Sequence, residues 1–159
     1  KTFIDELPLL KRENVRVEFL GDISALPQKT REVFAYGLKE CEHHTGMTLA
    51  LAVNYGGRAE ITRAARQIAE QVACGELNPA DVDDELIASH LYTADLPDPE
   101  LVIRTSGEMR VSNYLLWQIA YSEFYVTDTY WPDFDRWGLV RAIDAYQHRD
   151  RRFGGVKQQ

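Results

Sequence analysis

Leu101-Val102-Ile103-Arg104-Thr105-Ser106-Gly107-Glu108-Met109-Arg110-Val111-Ser112-Asn113-Tyr114-Leu115-Leu116-Trp117 is the stretch on which the rest of the chain turns. Its first three residues are aliphatic and follow Pro97 and Pro99. They predict a short strand buried on both faces, as in parallel sheets. The strand stops at Arg104, and Thr105 to Arg110 are small, polar or charged. Ser112 then precedes Leu115, Leu116, Ile119 and Ala120 at helical spacing, which predicts a helix running to about Tyr121.

The order strand, polar loop, helix has a chemical consequence. In open α/β sheets ligands sit beyond the carboxyl ends of strands, where helix N-termini offer unpaired N–H groups to anions. Here Arg104 and Arg110 each add a planar fork of donors, and Ser106, Ser112 and the backbone at Gly107 add neutral ones. A diphosphate suits that set. The ordinary alternative is that both arginines pair with neighbouring acids such as Glu108 and Asp98.

Further along, Glu123 to Thr127 reads as another strand, with a carboxylate at its head. Trp131-Pro132-Asp133-Phe134-Asp135 makes a turn and N-cap for a helix carrying Leu139, Val140, Ile143 and Tyr146. The chain closes on the basic run Arg149 to Arg152, then Phe153-Gly154-Gly155. Before the central stretch, Lys1 to Leu10 suggests the tail of a helix, and Val15 to Leu20 alternates as a strand. Pro27 opens a helix reaching about His44, with His43 and His44 exposed at its end. Met47 to Val53 is a second buried strand, and it runs into Asn54-Tyr55-Gly56-Gly57-Arg58 before a helix that ends near Gly75. Neither G-x-x-x-x-G-K nor G-x-G-x-x-G occurs there. Asn78-Pro79 starts one more helix, through Leu91. Strands alternating with helices predict an α/β fold, a mostly parallel sheet flanked by helices, in one domain over residues 1–159.

The formal charge of −7, from 25 acids against 18 bases, speaks against a general nucleic-acid binder. Cys41 and Cys74 are far apart and suggest neither a zinc site nor a disulfide. With no apolar run of spanning length and no signal peptide, the expectation is a soluble protein of the reducing cytoplasm. The chain begins at Lys1 rather than a methionine, so it is read as possibly incomplete at its start.

Asn54 to Arg58, Asp98 to Trp117, Trp131 to Phe134 and Arg151 to Gly155, taken together, closely resemble the cis-prenyltransferases, the bacterial undecaprenyl diphosphate synthases among them. The resemblance covers nearly the whole chain from about Leu7. It implies a homodimeric, magnesium-dependent enzyme that adds isopentenyl diphosphate in cis to an allylic diphosphate primer such as farnesyl diphosphate, with peripheral membrane contact through its lipid product. By the same resemblance Arg104, Arg110, Val111 and Ser112 bind isopentenyl diphosphate, and Glu123 is a magnesium ligand. Asn54, Gly56, Gly57 and Arg58 support the site, as do Arg152 and Gly154 of the C-terminal motif. Met47 and Leu49 lie on the strand bordering the product tunnel, and Asp133 is structural.

One departure is large: the family's Asp-Gly-Asn-Gly-Arg-Trp loop, with the essential aspartate, does not occur. The resemblance therefore implies the C-terminal portion of a longer catalytic domain, lacking its N-terminal strand and tunnel helices, with no catalytic residue of its own. Such a chain is expected to be inactive alone. The competing reading is a non-catalytic partner subunit of a heteromeric cis-prenyltransferase.

Overall fold

The computed structural model describes residues 3–149. Two compact units make up the chain, Lys1–Ala94 and Asp95–Gln159.

In the first unit, α1 (Phe3–Arg12) leads into β1 (Arg16–Leu20), α2 (Gln28–Cys41), β2 (Thr48–Ala52), α3 (Gly57–Ala73) and α4 (Asp84–Ser89). β1 and β2 pair in parallel, Val17 opposite Leu49 and Leu20 opposite Ala52, with α2 as the crossover that parallel pairing requires. Leu7, Val17 and Cys41 form the core, with Phe3, Leu10, Phe19 and Leu51 packed around them. Phe19 stacks on Phe34 at 4.0 Å, and Phe3 meets both rings edge-on. Gly37 of α2 lets Phe3 in: a Cβ there would lie 2.2 Å from the ring. The expected helix from Asn78 divides in two, because Pro79 opens a single 3-10 turn and Asp83 then caps α4, accepting from Leu86 N–H at 2.8 Å. His43 is exposed as expected, whereas His44 is half-buried with Nδ1 2.8 Å from Val15 O.

In the second unit, β3 (Leu101–Arg104) pairs in parallel with β4 (Glu123–Val126), Leu101 opposite Glu123 and Arg104 opposite Val126. α5 (Arg136–Gln147) follows, capped by Asp135, whose carboxylate accepts from Gly138 N–H at 2.9 Å. Both sheets are parallel and helices follow β1, β2 and β4, the predicted α/β class. Two details differ. Leu101 to Arg104 are half-buried rather than buried. The helix expected from Ser112 does not form: Ser112, Asn113 and Leu115 have φ of 54°, 60° and 44°, a left-handed backbone in which no helical turn can start. Leu115 and Ile119 are buried as their spacing suggested, but within successive turns. None of the described helices is long and apolar enough to cross a membrane.

Candidate functional site

The loop after β3 is built by its backbone. Ser106 and Gly107 both take positive φ, 64° and 66°, and their N–H groups donate to Thr129 O and Thr127 O at 2.9 Å. Thr127 N–H donates in turn to Arg104 O. Gly107 is needed twice over, since a Cβ there would stand 2.9 Å from Asp128 Oδ1 in a conformation that side chains disfavour. These bonds also correct the picture of an anion resting on backbone amides. The N–H groups of Ser106 and Gly107 are committed to the residues after β4, and no helix starts at Ser112. An anion here has neither of those two amides to rest on.

Those side chains converge. Arg104, Glu108, Met109, Arg110, Val111, Phe124 and Val126 line one cavity of about 200 Å³. Arg104, Arg110, Val111 and Phe124 also border a smaller recess of about 110 Å³, floored by Val102, Ile103, Tyr114 and Ile119. Arg104 Nη2 donates to Ser112 Oγ at 3.2 Å, so the left-handed turn at Ser112 brings the hydroxyl back over the strand end. Arg110 forms an ion pair with Glu108, the ordinary pairing the sequence left open, on a largely exposed side chain. Loss of water pushes the half-covered Tyr114 phenol above its usual pKa.

Glu123 heads β4, its N–H donating to Glu100 O at 2.9 Å and its carboxylate accepting from Arg149 Nη1 at 2.6 Å. Its side chain is three tenths exposed, and it stands opposite Leu101, at the far end of the β3–β4 ladder from Arg104 and in neither of the two cavities. Among the described residues no cluster of three His, Cys, Asp or Glu could hold a metal. This donor set, one carboxylate paired with a guanidinium, does not fit magnesium.

Of the other predicted residues, Asn54, Gly56, Gly57, Arg58, Met47 and Leu49 fall in the first unit, and Asp133, Arg152 and Gly154 in the second. Asn54, at φ 48°, ends β2, and its Nδ2 donates to Asp22 O at 2.9 Å, tying together the two strand ends. Gly56 is the N-cap of α3, Gly57 is its buried first residue, and Arg58 is exposed in the first turn. Leu49 is half-buried on β2, Met47 precedes it with its side chain largely exposed, and Asp133 sits in a 3-10 turn. Arg152 and Gly154 lie outside the described residues.

Sequence reading missed Met109, Phe124 and Val126 as cavity walls. Phe124 and Val126 share one face of β4 by strand alternation, a signal that was there to use. It also missed Glu60. This carboxylate is 1% exposed, accepting from Tyr55 Oη at 2.6 Å and from Tyr92 N–H at 2.8 Å. The Arg63 guanidinium lies 4.0 Å over the Tyr92 ring and donates to His90 O.

Known proteins are similar to this chain in sequence and fold. The family model described as "Putative undecaprenyl diphosphate synthase" matches residues 1–154. An isoprenyl transferase of Streptococcus thermophilus is 51% identical over 154 residues, covering 94% of this chain and 62% of that protein. One from Geobacillus kaustophilus is 52% identical over 150 residues, covering 94% and 58%. The chain thus spans about three fifths of the length of the curated relatives it matches. Among solved structures, lavandulyl diphosphate synthase from Lavandula x intermedia, in complex with dimethylallyl diphosphate, aligns with a TM-score of 0.90 at 37% identity, covering 94% of this chain and 67% of that one. A probable undecaprenyl diphosphate synthase from Campylobacter jejuni aligns at 0.82 and 32%, covering 95% and 68%. With the family match, these relatives and the fold in agreement, the chain belongs to the cis-prenyltransferases, the family of the undecaprenyl diphosphate synthases.

Proposed function

We propose that this chain carries the isopentenyl diphosphate half of a cis-prenyltransferase site. The observation that carries the reading is the meeting of Arg104 and Arg110 on one cavity of about 200 Å³ with Val111 and Phe124, beside the Ser112 hydroxyl. Two guanidinium forks supply paired donors for diphosphate oxygens, and the aliphatic and aromatic walls accept a short hydrocarbon. To receive the anion, Arg110 exchanges Glu108 for phosphate oxygens, an exchange that its exposed position makes cheap.

In the reaction the arginines hold the diphosphate so that the isopentenyl double bond faces the first carbon of an allylic diphosphate. The new carbon–carbon bond forms as the allylic diphosphate leaves with its electron pair, and a proton is lost from the isopentenyl unit. The resemblance also implies magnesium, which would supply charge neutralisation to the diphosphates, but Glu123 stands at the opposite end of the β3–β4 ladder from Arg104 and no step is assigned to it. The allylic primer, a second copy of the chain and lipid contact through the product belong to the same proposal and rest on the family. The aspartate loop of the family is absent from residues 1–159, so these residues by themselves are proposed to bind without turnover.

Calorimetric titration with isopentenyl diphosphate tests the reading. Saturable binding that Arg110→Ala weakens about ten-fold, the worth of one charge-assisted contact, is expected. Equal binding by the variant, or no preference over inorganic pyrophosphate, would remove the loop from the site.

A further inference from the structure

Met109 stands on the arginine loop between Glu108 and Arg110, and it is one of two methionines in the chain. Both are open to solvent, Met109 at 87% and Met47 at 65%. They differ in what they border. Met47 precedes β2 in the first unit, whereas Met109 lines the cavity of about 200 Å³ with Arg104, Arg110, Val111 and Phe124. The loop is anchored on both sides of it: Ser106 and Gly107 N–H donate to Thr129 O and Thr127 O at 2.9 Å, and Arg104 Nη2 donates to Ser112 Oγ at 3.2 Å. A thioether in that place is an apolar, polarisable wall on a cavity that also carries two guanidinium groups.

We propose that Met109 is an oxidation site through which a hydroperoxide lowers the affinity of this loop for isopentenyl diphosphate. The proposal rests on the arginine cavity being the isopentenyl diphosphate site. A lone pair of the sulfur forms the S–O bond as the O–O bond of the peroxide breaks, and the departing oxygen takes up the proton of the transferred one and leaves as water or an alcohol. The thioether is oxidised to a sulfoxide and the peroxide is reduced, with the exposure of Met109 giving the peroxide its access. The product is polar where the thioether was apolar. Its oxygen offers the guanidinium groups of the cavity an acceptor that competes with the diphosphate, and an apolar wall is lost to the hydrocarbon. The change is reversible, because sulfoxide reductases return the thioether.

Calorimetric titration with isopentenyl diphosphate before and after hydrogen peroxide, with peptide mass spectrometry locating the added oxygen, measures this without turnover. Oxidation of Met109 in the parent chain is expected to weaken binding about two- to ten-fold, the worth of one hydrogen bond, and methionine sulfoxide reductases to restore it. Met47→Leu is expected to respond to peroxide as the parent does. Met109→Leu is expected to keep its own starting affinity through the same treatment, and because it retains the exposed thiol of Cys74 it also accounts for oxidation there. Unchanged affinity in a chain whose Met109 carries the oxygen, an equal loss in Met109→Leu, or a Met109 left unoxidised while Met47 reacts would overturn the proposal and leave the diphosphate site standing. No binding by the untreated parent would overturn that site and the proposal with it.

Discussion

Glu60 shows how much one side chain can fix. It lies in the first turns of α3, and its two oxygens accept from Tyr55 Oη and Tyr92 N–H, so the loop before the helix and the segment after α4 are held by one carboxylate. Replacing it by alanine leaves a part-buried N–H and a part-buried hydroxyl without that acceptor and opens a cavity. The expected cost for Glu60→Ala is about 2–4 kcal/mol, read as a lower urea midpoint, with Glu60→Gln costing less because one carbonyl oxygen remains. A midpoint unchanged by Glu60→Ala would show that Tyr55 and Tyr92 find other partners. Such a residue is hard to see in a sequence, where Glu60 looks like one more acid in a helix, and only the fold brings Tyr92 to it.

At the scale of elements, the two strand ends of the first unit are joined by short polar bonds. Asp22 accepts from Ser24 N–H and Oγ to form a 3-10 turn after β1, while Asn54 after β2 donates to Asp22 O. The Ser24 hydroxyl, more than any other cause, holds the Asp22 carboxyl below its ordinary value of 3.8. A depressed folded value means that this stabilisation is present in full above the unfolded value and is lost as pH falls through the folded one. Asp22→Ala should therefore lower the denaturation midpoint at pH 6 and narrow its gap to the parent chain below about pH 4. A gap that stayed constant across that range would assign the effect to something other than the charge. The strands and α2, α3 and α5 were readable because aliphatic runs and helical periodicity are local. The segment after Ser112 was misread for the same reason: Leu115 and Ile119 are spaced as in a helix, but the left-handed positions at Ser112, Asn113 and Leu115 are set by the loop they close. Arg104 and Arg110 were singled out by residue type and line one cavity, whereas the partnership of Glu123 with Arg149 depends on pairing across 26 residues and left no local trace.

Across the molecule the two cysteines offer a reading of which parts are held firmly. Cys41 is 0% exposed in the core with Leu7 and Val17, and burial pushes its thiol above its ordinary value. Cys74, just past the end of α3, is exposed. A thiol reagent attacks as the thiolate reaches it, so Cys74 should react at once and Cys41 only when the β1–β2 core opens. The Cys41 rate then reports the opening free energy of the unit whose strand ends carry Asn54 and Gly56. Leu7→Ala removes a buried side chain from one wall of that core, at a cost of about 2–3 kcal/mol. If opening is fast relative to labelling, the same loss raises the Cys41 rate about a hundredfold and leaves Cys74 unchanged. A Cys41 rate indifferent to Leu7→Ala would mean that the thiol is reached by a local opening of the α2 end. In that case α1 would contribute little to holding β1 against β2, and the Asn54 loop would take its stability from α3 and Glu60 instead.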